Sequence, residues 1–155
     1  MGEKQGPNEV RLSEHFTLEE MTRSQMAKRH GIDNTPNDIQ LENLKTLAKG
    51  MESVRSKLDS LPIIVSSGFR CEDLNDLLGS KRTSQHIRGL ACDFTCDRYA
   101  YVGRVFEVLA ESSIEYDQLI LEYDSWIHIS FPPEGETPRR QTLVIDREGT
   151  RVYNK

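Results

Sequence analysis

Leu44, Leu47, Ala48, Met51, Val54 and Leu58 recur at the three- and four-residue spacing that places side chains on one face of a helix. An apolar stripe of that length has to be buried against other elements. Thr35 is read as the cap of this helix, with Pro36 at the tolerated first position and the end near Leu58. Upstream, Thr17-Leu-Glu-Glu20 has the S/T-x-x-E form of a capping box, with Phe16 placed to staple onto Met21, so a helix is expected from Leu18 to a stop at Gly31. Downstream, short β-branched and apolar runs alternate with turn residues. Strands are expected at residues 63–65, 90–95, 118–123, 126–131, 141–145 and 150–153, with a turn at 147–149. A short helix at 72–78, a loop at 80–88 and an amphipathic helix carrying Tyr99, Val102, Val105, Phe106 and Leu109 fill the middle. Helices first and strands later predict an α+β fold, with N-terminal helices packed on a small, mostly antiparallel sheet.

The chain has 155 residues and a formal net charge of −5, enough for one domain with its own core. Residues 1–12 are expected to form a flexible arm and 13–155 the single domain. A hydrophobic fraction of 36% with 29% charged residues excludes a disordered chain. The basic residues are scattered and the pI is near 5.4, which argues against nucleic acid as a partner. No apolar run approaches the roughly 18 residues of a membrane span. The N-terminus lacks a secretion signal, so synthesis in the cytoplasm, no stable membrane insertion and a monomeric state are expected. Cys71, Cys92 and Cys96 form neither a disulfide framework nor a four-thiolate zinc pattern; a reducing compartment and a role as small buried hydrophobes are expected.

Four histidines occur, and two lie in unusual settings: His86 in Ser84-Gln-His-Ile-Arg-Gly-Leu-Ala-Cys-Asp93, and His128 in Trp126-Ile-His-Ile-Ser130. Gly89 lets the chain bend so that His86 and Asp93 can reach one point. With His128 from a separate strand they form the two-imidazole, one-carboxylate set that holds catalytic zinc while leaving a position for water, so one zinc per chain is expected. The candidate base is Glu122, a carboxylate among the apolar residues of a strand. Asp124 is its rival, placed by the sequence in a hairpin turn. Arg70, after a strand and a glycine turn, offers a fork of donors suited to a peptide carboxylate. Ser84 could add a hydrogen bond to substrate or to the metal ligands. His15 and His30 are read as surface residues, Trp126 as core or pocket wall, and Arg139-Arg140, after the proline-rich loop, as a solvated pair in preference to a substrate contact.

Ser66-Ser-Gly-Phe-Arg70, Ser84-x-His86-x-x-Gly89-x-Ala91-x-Asp93 and Trp126-x-His128-x-Ser130 resemble the signature of the zinc D-alanyl-D-alanine carboxypeptidase family, which includes phage endolysins. The Hedgehog signalling domain has a similar zinc site. Phe16-Thr-Leu-Glu-Glu-Met-Thr-Arg-Ser24 and Asp117-Gln-Leu-Ile-Leu-Glu122 extend the likeness to the single-domain, phage- or prophage-borne branch, over roughly residues 13–145. The resemblance implies zinc ligands His86, Asp93 and His128, general base Glu122, and Arg70 on the substrate carboxylate or carbonyl. Departures are Cys71, where Ser or Thr is more usual, and Ser125, where some members carry the base. The implied function is a metallopeptidase hydrolysing the peptidoglycan stem in phage lysis or wall remodelling, acting on the wall after release or as a virion component. The competing readings are a non-catalytic zinc-bearing binding module and a cytosolic D-amino-acid dipeptidase; Arg70 leans toward a carboxypeptidase.

Overall fold

The helix expected from the stripe, α3 (Asp38–Lys57), spans 20 residues and buries Leu44, Leu47, Ala48, Met51 and Val54. The computed structural model describes residues 10–154. The cap of α3 is Asn37 rather than Thr35: Asn37 accepts from the Gln40 backbone while the Gln40 side chain returns to the Asn37 backbone. Asn37 prevails because its side chain and that of Gln40 satisfy each other's backbone N–H groups in a capping box, which Thr35 does not form. Thr35 bonds instead to Asp33.

The capping box at Thr17 and Glu20 forms as expected and opens α1 (Leu18–Thr22). The single helix expected to reach Gly31 is two helices. Ser24 accepts a hydrogen bond from the Ala27 backbone, which restarts the chain as α2 (Gln25–Arg29) after an extended Arg23. An N-capping serine competes with helix continuation, and here it wins. Of the expected arm, residues 1–9 lie outside the described residues. Residues 10–12 are tied to the first turn by Leu18 N–H to the Val10 carbonyl and Leu12 N–H to the Phe16 carbonyl.

The remaining elements are β1 (Ile64–Ser67), α4 (Glu72–Leu77), α5 (Gln85–Arg88), β2 (Ala91–Thr95), α6 (Val102–Ala110), β3 (Gln118–Glu122), β4 (Trp126–Ser130), β5 (Gln141–Asp146) and β6 (Gly149–Val152). The strands stand within a residue or two of their expected places. α5 is the exception, a four-residue helix inside the expected loop. The six strands form one sheet in the order β1-β2-β4-β3-β5-β6, antiparallel throughout except for β3 beside β5. That parallel pair requires residues 131–140 to carry the chain across the end of β3, past the cleft described below.

Alternation along the strands divides the sheet into two faces. Val65, Cys92, Phe94, Leu119, Ile127 and Ile129 join α3 and the α6 residues Val105, Phe106 and Leu109 in one core. The residues between them, Asp93, Ile120, Glu122, Trp126 and His128, face a cleft. The core holds the fold, and truncating a fully buried residue such as Leu47 to alanine should cost about 2–5 kcal/mol.

Candidate metal centre and cleft

Four strands place the central row of the site. Ser67 of β1 pairs with Asp93 of β2, Asp93 with His128 of β4, and His128 with Ile120 of β3. Directly paired residues in an antiparallel sheet project from the same face about 5 Å apart, so Asp93 and His128 meet although 35 positions separate them in the chain. His128 Nδ1 lies 3.1 Å from Asp93 Oδ1.

The third member comes from α5. Ser84 caps that helix by accepting from the His86 backbone at 3.2 Å, and Gly89 ends it with a φ of 77°. A side chain at Gly89 would be strained by that angle and would bring a Cβ within 2.7 Å of the Gln40 carbonyl oxygen. The helix is fastened to α3 by Gln40 Nε2 donating to the Ile87 carbonyl and Asn43 Nδ2 to the Arg88 carbonyl. His86 is then aimed: its Nδ1 stands 2.7 Å from the Gly68 carbonyl, which can only accept, so Nδ1 carries the proton and Nε2 is left as a lone pair. That nitrogen points at Asp93 Oδ1, 3.3 Å away.

Two ring nitrogens converging on one buried carboxylate form an arrangement that a cation completes. The ligand atoms of His86, Asp93 and His128 lie within 4.8 Å of one another, and all three residues are buried. An imidazole lone pair facing a carboxylate oxygen is repulsive unless a proton or a metal lies between them. Nitrogen and oxygen donors suit zinc. Burial pushes the Asp93 carboxyl up, but the neighbouring His86 and His128 rings outweigh it and hold the group well below the usual carboxylate range. The aspartate is thus ready to ligate.

Arg70 lies beside this cluster. Nη2 is 3.5 Å from Asp93 Oδ2, Nε donates to Ser67 Oγ at 3.1 Å and Nη1 to Ser80 Oγ at 3.4 Å. The preceding Gly68 has no room for a Cβ, which would collide with the Met21 carbonyl; Phe69 N–H donates to that same carbonyl at 2.7 Å. Asn34 locks the turn by bonding Thr22, Phe69 and Cys71 backbone groups. The Ser-Ser-Gly-Phe-Arg segment is therefore a fixed corner that both orients His86 and presents Arg70.

Glu122 ends β3 on the cleft face, opposite Trp126. Burial and the negative charge of Asp93 push its carboxyl above the ordinary value, against the lowering pull of His128, Trp126 and Arg70. A carboxylate so placed can take a proton near neutrality more readily than a solvated one. The cleft, about 540 Å³, brings together Arg70, Ser84, His86, Asp93, Glu122 and His128, with Trp126 on its wall. Asp124 is not among them: it sits in the β3–β4 turn with a φ of 52° and borders a separate hollow beside β5.

Arg139 and Arg140 are both exposed, but each is held by partners rather than by solvent alone. Arg139 lines the cleft and forms an ion pair of 2.6 Å with Asp117, while Arg140 donates to the Ser112 and Ile114 carbonyls and covers the Tyr116 ring at 4.5 Å. Gln85, Gln118 and Ile120 also line the cleft, although nothing in their local sequence singled them out. Cys92 and Cys96 are buried as expected, whereas Cys71 is only partly so. His30 caps α2 at its C-terminus, and His15 bonds Glu52.

Comparison with known families matches residues 14–130 to peptidase M15, a stretch that holds every cleft residue named above except Arg139. No curated protein matches the chain.

Proposed function

The chain belongs to the peptidase M15 family, the zinc D-alanyl-D-alanine carboxypeptidase family, and from that premise we propose that it hydrolyses the peptide stem of peptidoglycan as a D-Ala-D-Ala carboxypeptidase-like enzyme. The observation that carries this reading is the convergence of His86, Asp93 and His128 in a cleft that also holds a carboxylate of raised pKa, Glu122. A purely structural metal site would have no use for that base and would close its fourth position.

His86 through Nε2, His128 through Nδ1 and Asp93 through a carboxylate oxygen are the residues that would hold the zinc. Bound there, zinc would supply Lewis-acid polarisation of the scissile carbonyl and stabilise its developing negative charge. Glu122 accepts a proton from the attacking water as the new C–O bond forms. It then delivers that proton to the departing amine as the C–N bond breaks. Arg70 keeps one hydrogen on each terminal nitrogen beyond its bonds to Ser80 and Asp93, and these face the substrate carboxylate or carbonyl. Ser84 acts through the α5 cap. Action on the wall would follow release through a membrane lesion or delivery in a virion. Among the described residues no helix is long and apolar enough to cross a membrane.

Elemental analysis combined with mass spectrometry of incubated stem peptides tests the reading. One zinc per chain is expected, and Glu122→Gln should keep the metal while losing cleavage by about 10²–10⁴-fold. Equal cleavage by wild type and variant would remove Glu122 from the role. A zinc-loaded protein that cleaves no stem peptide would instead be a binding module.

A further inference from the structure

Arg139 lies outside the matched segment, yet the cleft uses it. Asp117, buried at 6% exposure, accepts from the Arg139 backbone N–H at 3.0 Å, from Nε at 3.1 Å and from Nη2 at 2.6 Å. It also accepts from Gln85 Nε2 at 3.0 Å, next to His86. Such a clamp fixes a guanidinium that would otherwise sample many rotamers, and a fixed donor loses less entropy when it binds. The clamp occupies one side of the fork. The side chain remains 57% exposed, and Nη1 has no partner among the described residues.

Position along the sheet shows what that free edge can reach. Arg139 stands beside Asp117 and Gln118, where β3 begins; the metal row crosses β3 at Ile120, and Glu122 lies beyond it. Two to three residues of strand separate Arg139 from the row, about 7–10 Å, which an extended peptide covers in two or three residues. Arg70, by contrast, approaches from the β1 side. Counting the residues that line it, the cleft carries three cations, Arg70, Lys81 and Arg139, against two carboxylates, Asp93 and Glu122, on a protein of net charge −5.

We propose that Arg139, set by Asp117 and Gln85, is a specificity-determining residue that binds a second carboxylate of the substrate, two or three residues from the bond cut and apart from the group met by Arg70. The inference rests on the peptidase reading and deepens it: the substrate class is a peptide with a free acidic group at that distance, not one whose acidic group is amidated.

The test uses pairs of stem peptides that differ only in one carboxylate replaced by a carboxamide. Turnover is followed in the zinc-loaded wild type. Binding is followed in zinc-loaded Glu122→Gln by the emission of Trp126, the chain's only tryptophan and a wall of the cleft. The carboxylate member should be preferred about tenfold, the lower range for a charge-assisted hydrogen bond at a half-exposed site. Arg139→Gln, made in both backgrounds, should bring the ratio near one through KM and Kd, and Arg139→Lys should keep part of it. Absence of any preference in the wild type would overturn the inference, as would an Arg139→Gln variant that weakens both members equally while lowering Tm, the mark of a merely structural clamp. If no peptide is cleaved but the binding preference disappears in Arg139→Gln, the peptidase reading fails and the carboxylate subsite stands.

Discussion

Glu122 and Asp93 are neighbouring carboxyls whose surroundings push them in opposite directions, and the two signs predict different pH responses. Glu122 has a raised folded-state pKa, so its charge opposes folding above the unfolded value near 4.5. Glu122→Gln should therefore raise the Tm of the metal-free protein at pH 7 even as it removes cleavage by the zinc-loaded one. Asp93 has a lowered folded-state pKa, so its contribution to stability is present above about pH 4 and disappears as pH falls below it. Denaturant titrations of metal-free wild type and Asp93→Asn between pH 3 and 7 would check this: the gap between the two curves should stay constant above about pH 4 and begin to narrow below it. His86, Asp93, His128, Glu122 and Arg70 were legible because each is a chemically costly residue in an apolar or glycine-marked setting. Arg139 was legible only as the less favoured of two readings, since an arginine pair after a proline-rich stretch reads first as surface until Asp117 is seen beneath it.

Among the elements, α5 is the part that positions His86, and its attachment to α3 can be tested separately from the metal ligands. Gln40→Ala with Asn43→Ala removes both side-chain bonds to the α5 carbonyls while leaving every ligand in place. Zinc affinity, measured by competition with a chelator, should fall about 10–100-fold, the usual effect of loosening the groups that orient metal ligands. Near-unchanged affinity would mean that the Gly68 carbonyl alone aims His86. The sequence showed α3 through its long stripe and the strands through their β-branched runs. It did not show α5, because four residues are too few for helical periodicity. The break at Ser24 was hidden for a related reason: a serine within a helical pattern marks a new cap only if the chain turns there, and that turn depends on Met21 and Thr22 meeting the Arg70 corner.

At the scale of the whole molecule, core and site occupy opposite faces of one sheet, so the fold should survive loss of its metal. Chelation is expected to lower Tm without unfolding the protein, and zinc at about a hundredfold above its Kd should restore about 2.7 kcal/mol. Circular dichroism of the chelated protein showing a random coil would contradict this, since it would make the metal rather than the α3 core the source of stability. The amino-acid sequence by itself determined the longer elements, the α+β order and which costly side chains were candidates for the cleft, because periodicity, capping and residue chemistry are local properties. Strand order, the parallel β3–β5 pair, the turning of His86 Nε2 toward Asp93 and the delivery of Arg139 into the cleft were decided only by tertiary structure. Each of these depends on which distant segments pair, and pairing is settled by the burial of the whole core rather than by any segment alone.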